Sequence, residues 1–194
     1  RNIIGTFVIP EGVTTIERTS FTGSTLTGID LPDSLTSLSG GAFNASRLES
    51  ITLPKGINAY GMLFMNCEYL KTVVLSEGAE GIGEYAFRDC IALENVVIPS
   101  TVKTIGNYAF YNCKSLKKIS LPSSIEKMGT SPFYGCENLE IIEFGNVSKL
   151  NLSDYSMFEE LKKCRAGIAA KERVPAYIIF TDAALRDCGR RRDP

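Results

Sequence analysis

The chain has 194 residues, a length that favours one domain with room for a second, smaller one. Its 21 Lys and Arg against 22 Asp and Glu leave a net charge of -1, which implies no strong polyelectrolyte partner. Histidine is absent, which excludes Ser-His and Cys-His catalysis and histidine-containing zinc sites within this chain. The longest apolar runs are about six residues, far short of the roughly 20 that span a bilayer, so we expect no membrane insertion.

A repeat of 22 or 23 residues begins near the N-terminus. Phe87, Phe110 and Phe133 recur every 23 residues, and cysteines recur at the same interval at Cys67, Cys90, Cys113 and Cys136. Six registers are marked by one leucine each: Leu26, Leu48, Leu70, Leu93, Leu116 and Leu139. The opening segment, RNIIGTFVIP, has the pattern of the middle of a unit, so we expect the chain to be a fragment of a longer product.

Each unit combines a strand with a return segment. Pairs such as Ile51 and Leu53 alternate with a period of two, and a proline usually ends the strand. The following segment spaces apolar residues by three or four, which predicts a short helical or 3₁₀ return path. Gly83, Gly106 and Gly129 stand where we expect the chain to bend without a Cβ.

A unit with one strand cannot bury its apolar side alone, so we expect successive coils to stack with their strands in one parallel sheet, an α/β solenoid over residues 1–150. The pattern LPxxVxxIGxxAFxxCxxL resembles leucine-rich repeats, specifically the BspA-like type common in bacterial and protozoan proteins. The resemblance covers about residues 3–144. Its first two Phe-to-Leu segments are one residue shorter and have no cysteine, and 55–63 also loses one residue.

The cysteine column is open to two interpretations. Zinc sites cluster ligands two to four residues apart, and disulfide frameworks belong mainly to short secreted domains. We therefore expect all six cysteines to be unpaired and the four in register to be packing residues. Ser24 and Ser46 take the same position in the shorter coils. Asn66, Asp89 and Asn112 precede the cysteines, where such side chains bond neighbouring backbone or tolerate left-handed conformations. A calcium site would need several carboxylates in one loop, which this column does not supply.

Strand residues that point away from the core form two columns across the predicted sheet. They vary from coil to coil, as a binding surface would, although Thr and Val are also good strand formers. Val74 and Val97 are adjacent apolar members of one column. The candidate partner-binding residues are Thr72, Val74, Asn95, Val97, Lys118 and Ser120.

The repeat stops near Asn151, and residues 151–194 form a second module with nine basic and seven acidic residues. Ser156 and Glu159 have capping-box spacing before a predicted helix over about 156–172. Val174 and Pro175 end that helix, AYIIF is a short apolar stretch, and a second helix is predicted to about residue 190.

This segment resembles the first half of an HRDC domain, a small helical auxiliary domain of RecQ-type helicases and ribonuclease D. The resemblance rests on Phe158, Leu161, Arg165, Ala169, Val174, Pro175, Tyr177, Phe180, Asp182 and Leu185. It implies an auxiliary binding role, with candidate nucleic-acid contacts at Lys162, Lys163, Arg165, Arg190, Arg191 and Arg192. The alternative is that the tail caps the solenoid or joins two copies into a dimer, burying its apolar residues.

We therefore expect a non-catalytic scaffold that binds a protein or peptide through the outward sheet face. Phosphate-binding loops and nucleophile-elbow motifs are absent from the sequence, so we expect no enzyme and no cofactor. Two alternatives remain, an accessory nucleic-acid-binding protein acting through the tail and a bacterial surface adhesion protein. The first two functions imply a cytoplasmic location, and the third implies a secreted or cell-surface one.

Overall fold

The computed structural model describes residues 5–145 and 177–180 of the chain. Eight of its strands form the main series: β1 (Thr6–Val8), β3 (Gly28–Asp30), β5 (Ser50–Leu53), β6 (Thr72–Leu75), β8 (Asn95–Val97), β10 (Lys118–Leu121), β12 (Ile141–Phe144) and β13 (Tyr177–Phe180). Every ladder between them is parallel, and they hydrogen-bond in three groups: β1-β3, β5-β6-β8 and β10-β12-β13. The predicted parallel solenoid of stacked coils is confirmed.

The return segments are not helical. They contain β2 (Thr15–Ile16), β4 (Ser37–Leu38), β7 (Gly81–Ile82), β9 (Thr104–Ile105) and β11 (Lys127–Met128), which pair in parallel as β2-β4 and β7-β9-β11. Within the described residues there is no α-helix or 3₁₀-helix, so the prediction of helical returns is wrong. The apolar spacing of three comes from isolated turns, as when the amide of Val102 donates to the carbonyl of Pro99. Other return amides donate to the neighbouring coil, which removes them from any helical ladder.

The core is a stack of side chains at equivalent positions of successive coils. Six phenylalanines lie face to face, with ring centroids 5.2 to 5.5 Å apart: Phe21, Phe43, Phe64, Phe87, Phe110 and Phe133. All but the first are buried. Inward strand residues such as Ile51 and Leu53 complete the core beside them. One buried Phe per coil therefore serves as the repeated centre of a core that no single coil could close.

Two equivalent positions of the return path have positive φ in each of six coils, which lets the chain turn sharply there. One of these positions is held by Asn66, Asp89 and Asn112, with φ near 60°, as the sequence predicted for side chains tolerant of this conformation. The prediction that Gly83 and Gly106 allow a bend of the chain is wrong. Their φ is not in the left-handed region, but a Cβ at Gly106 would lie 2.5 Å from the amide nitrogen of Glu84 in the preceding coil. These glycines permit close approach of coils rather than a bend.

The apolar stretch AYIIF contributes the eighth strand of the main series. Tyr177 pairs with Ile141, 36 positions earlier, and Phe180 pairs with Phe144, so β13 continues the register of the solenoid past β12. Backbone pairing therefore covers the edge around Ile141 that the sequence analysis expected the tail to cover. The predicted helices over 156–172 and to residue 190 lie outside the described residues, and the boundary of the second module near residue 151 stays a prediction.

Candidate functional site

The outward face of the main strands is built by simple alternation. In β5, Ile51 and Leu53 are buried while Ser50 and Thr52 are exposed, and β10 repeats this with Ile119 and Leu121 buried. Since the inward positions are committed to the core, the outward positions can vary without changing the fold. The result is a surface of short side chains whose rows lie about 4.8 Å apart, the spacing of adjacent strands.

Four of the six predicted partner-binding residues are brought together by one ladder. Thr72 is opposite Asn95, and Val74 is opposite Val97, where β6 pairs with β8. Val97 has 52% of its surface exposed and Val74 is half-buried, so the pair forms a small apolar patch in the middle of a polar face. Exposed valines flanked by polar residues can lose surface to a partner.

The other two predicted residues, Lys118 and Ser120, lie on β10. This strand contacts β8 on one side and pairs with β12 on the other. The ammonium of Lys118 lies 2.7 Å from Glu143 Oε1, and the Ser120 hydroxyl donates to Glu143 Oε2 at 2.7 Å. The hydrogen bond from Lys118 is the main cause that lowers the pKa of the Glu143 carboxyl, with that from Ser120 second. The Lys118 charge is therefore already balanced locally, a contact that sequence reasoning missed although residues 118 and 143 are separated by one repeat plus two.

Two open grooves flank the valine patch along the face. The groove on the N-terminal side has a volume of about 450 Å³ and is lined by Thr6, Asp30, Asp33, Ser50 and Thr52 among others. The groove on the C-terminal side has a volume of about 750 Å³, and Asn95, Lys117, Lys118, Ser120 and Asn138 contribute to its lining. Polar grooves around an apolar centre suit a polypeptide partner better than a small apolar ligand.

The cysteine column is a hydrogen-bonded ladder inside the core. Each thiol donates to the carbonyl of the phenylalanine in the preceding coil, from Cys67 to Phe43, Cys90 to Phe64, Cys113 to Phe87 and Cys136 to Phe110, at 3.0 to 3.1 Å. These four cysteines are free and buried. Cys164 and Cys188 lie outside the described residues. The packing interpretation was therefore incomplete, because each of these four thiols also places a donor beside a backbone carbonyl.

Burial keeps the thiols of Cys67, Cys90 and Cys113 protonated. Loss of solvation raises the pKa of Cys67 and raises the pKa of Cys90 and Cys113 well above the ordinary value. A thiol in this state is a poor nucleophile and a poor metal ligand. In residues 5–145 and 177–180 no group of three or more Cys, Asp or Glu side chains is arranged to hold a metal ion.

An aromatic surface on the return side was not anticipated. Tyr85 stacks on Tyr108, and Tyr111 stacks on Tyr134, each with centroids 5.5 Å apart. The Arg88 guanidinium lies between two of these rings, 5.4 Å from Tyr85 and 5.2 Å from Tyr111. The 23-residue spacing of these tyrosines was visible in the sequence and could have revealed it. Because ring faces are covered by one another, this surface presents mainly ring edges to solvent.

The candidate nucleic-acid contacts of the tail lie outside the described residues, so Lys162, Lys163, Arg165 and Arg190 to Arg192 stay predictions. No helix in the described part of the chain is long and apolar enough to cross a membrane.

Comparisons with known families and structures agree with this architecture. The model of the BspA type leucine rich repeat region matches six copies across residues 2–90 and 57–169, and the HRDC domain model matches residues 155–192. A search of curated proteins gives no match.

Solved structures give the same result. A leucine-rich repeat protein from Eubacterium ventriosum is 28% identical with a TM-score of 0.55, over 67% of this chain and 42% of that one. The leucine rich repeat protein of T. pallidum is 25% identical with a TM-score of 0.50, over 71% and 57%. The pneumococcal vaccine antigen PcpA is 22% identical with a TM-score of 0.50, over 73% and 51%, a likeness of fold alone. The chain thus spans about half the length of these proteins, and none of the matches supports the cytoplasmic location favoured by the sequence analysis.

Proposed function

The chain belongs to the BspA-type leucine-rich repeat family, and from this premise we propose that it is a non-catalytic scaffold that binds a protein through the outward face of its main strands. The observation that carries the proposal is the valine patch, Val74 and Val97, exposed at the centre of a regular polar sheet face. Repeat proteins of this kind present extended surfaces that are well suited to polypeptide partners. The binding residues are Thr72, Val74, Asn95, Val97, Lys118 and Ser120.

The test uses selection from a random peptide display library on the wild-type protein. The affinity of each selected peptide is then measured for a Val74→Lys/Val97→Lys variant, which places in the patch two charges that are costly to remove from water. We expect binding to fall at least about tenfold, because central apolar contacts usually dominate interface energetics. A Met62→Lys/Ile91→Lys variant is the matched control, since it changes two exposed apolar residues of the return side. Equal binding to the wild type and the valine variant would exclude this face.

A second candidate function rests on the HRDC match at residues 155–192. Under this proposal the basic residues of the tail, Lys162, Lys163, Arg165 and Arg190 to Arg192, contact nucleic acid as an accessory to a larger product. With at most six phosphates neutralised, binding to single-stranded DNA should be weak, and because it is electrostatic it should fall as salt is raised. A fluorescence titration with a labelled oligonucleotide at two salt concentrations tests it, and salt-independent binding would contradict it.

The adhesion function implies a location at the cell surface or outside the cell, and the other two functions imply the cytoplasm. Family membership supports the adhesion alternative, with the chain acting at the cell surface or as a secreted protein, more than the cytoplasmic location. Fractionation of the native host with an antibody against residues 5–145 decides between the two. Recovery of the protein only in the cytoplasm would overturn the surface proposal and leave the scaffold proposal standing.

A further inference from the structure

We infer that the partner of the outward face is a protein segment that carries cationic side chains beside an apolar one; this inference rests on the proposed function. The first observation is a difference in charge between the two sides of the coils. The sheet windows, which we define as residues 5–11, 27–33, 49–55, 71–77, 94–100, 117–123 and 140–145, contain eight carboxylates and four lysines. The return segments between them contain seven carboxylates and six basic residues. Negative charge is therefore concentrated on the strand side.

The excess lies at the N-terminal end of the face. The first three sheet windows hold four carboxylates, and Lys55 is their one cation. The remaining four windows hold four carboxylates and three lysines, which is close to balance. The face is therefore acidic over the windows of β1 to β5 and nearly balanced over the windows of β6 to β12.

Not all of these carboxylates are available to a partner. Glu49 pairs with Lys71 at 3.1 Å, and Glu143 pairs with Lys118 at 2.7 Å, so both are balanced within the sheet. Asp30 and Asp33 are exposed, and no cation of the described residues lies within ion-pair distance of either. They line the 450 Å³ groove beside the valine patch, together with Lys55 and with hydroxyl groups of the neighbouring strands, so two carboxylates and one ammonium face this groove.

The spacing of the coils gives the separation of the two contacts. Asp30, Thr52 and Val74 follow one another at intervals of 22 residues, β3 contacts β5, and Thr52 pairs with Val74. Two strand spacings, about 10 Å at the usual value, therefore separate Asp30 from Val74. An extended polypeptide rises about 3.3 Å per residue and its side chains alternate between two faces. A basic side chain two or four residues from an apolar one therefore lies on the same face, and its length spans the remaining few ångströms to both places. The sign of the face repels phosphate groups, and this favours a protein partner over nucleic acid.

The test measures fluorescence anisotropy with three synthetic probes of about twelve residues in a Gly, Ser and Thr background. The first probe carries two valines and three lysines, the second has glutamates in place of the lysines, and the third keeps the lysines without the valines. We expect the first probe to bind at least about tenfold more tightly than either of the others, and its binding to weaken as salt is raised.

Variants of the protein locate the effect. Asp30→Asn/Asp33→Asn should weaken binding of the lysine-valine probe about fivefold or more. A matched control, Glu68→Gln/Glu126→Gln, removes two exposed carboxylates of the return side and should change binding less than about twofold. Val74→Ser/Val97→Ser removes the apolar patch without adding charge and should reduce binding of the same probe.

The outcomes separate the inference from the function on which it rests. If the glutamate probe binds as tightly as the lysine probe and Val74→Ser/Val97→Ser weakens both, the face binds peptides but the inference of a cationic partner is wrong. The same holds if the lysine probe binds the Asp30→Asn/Asp33→Asn variant unchanged. If no probe binds, the inference of a cationic partner is wrong, and the display selection still decides the proposed function. If peptides bind the valine variants as tightly as the wild type, the proposed function fails and the inference fails with it.

Discussion

The strand side and the return side of the same coils differ in how many of their side chains contact the neighbouring coils. On the return side, Phe87 is stacked between two identical rings, and the Cys113 thiol donates to the Phe87 carbonyl one coil away. On the strand side, outward residues such as Thr52 and Val97 meet solvent. Repetition of a residue type therefore marks a contact between coils, and variation marks a surface available to a partner.

The largest effect is expected at the phenylalanine stack. Phe87→Ala should lower the free energy of unfolding by about 3–5 kcal/mol, because the side chain is fully buried and neighbouring coils are held too closely to collapse into the cavity. Urea unfolding followed by circular dichroism measures it. Val97→Thr is the control on the strand side and should stay within about 0.5 kcal/mol of wild type. A loss below about 1 kcal/mol for Phe87→Ala would show that the stack is not the centre of stability.

A smaller effect is expected at the left-handed turn. Asn112 has φ of 59°, and its amide donates to Asp89 Oδ1 at 2.7 Å. Asn112→Val should cost about 1–3 kcal/mol, since a β-branched residue is strained in this conformation. Asn112→Gly removes the side-chain hydrogen bond, but glycine adopts this positive φ without strain, so the loss of stability should be about 0.5–1.5 kcal/mol. The same unfolding measurement checks both, and equal costs would show that backbone conformation does not select the residue here.

The smallest effect near neutral pH concerns the thiol ladder. Burial raises the pKa of Cys90 and Cys113 above the ordinary thiol value of 9.0, so the folded state keeps protons that the unfolded state releases in alkali. Their contribution to stability is complete below pH 9 and falls as pH rises above it, by about 1.4 kcal/mol per pH unit for each thiol. Thermal unfolding between pH 7 and 10.5 measures the decline.

Cys113→Ser is the matched variant, because Ser46 fills an equivalent buried position and shares a hydrogen bond with Cys67 Sγ at 3.4 Å. Its alkaline decline should be shallower than that of the wild type. In native protein the four described thiols should react with a thiol reagent far more slowly than after denaturation, when all six cysteines should titrate. Rapid native labelling of Cys90 or Cys113 would contradict their burial.

The repeat unit, with its core positions and its strand, can be predicted from the amino-acid sequence alone. Phenylalanines and cysteines at intervals of 23 placed the core, and pairs such as Ile51 and Leu53 placed the strands and their inward faces. Those features depend on period and on burial, which a single sequence displays directly. The same alternation identified Val74 and Val97 as adjacent on the outward face, since register follows once the repeat length is known.

The contacts between neighbouring coils, in contrast, are visible only in the folded structure. The return segment containing Val102 has helix-like spacing, yet its backbone bonds to adjacent coils, and so it forms short strands and turns. The role of Gly106 as a site of coil contact, the thiol donors, and the pairing of Tyr177 with Ile141 across 36 positions arise in the same way. Each is an interaction between segments distant in the chain, and its partner is set by stacking geometry rather than by local composition.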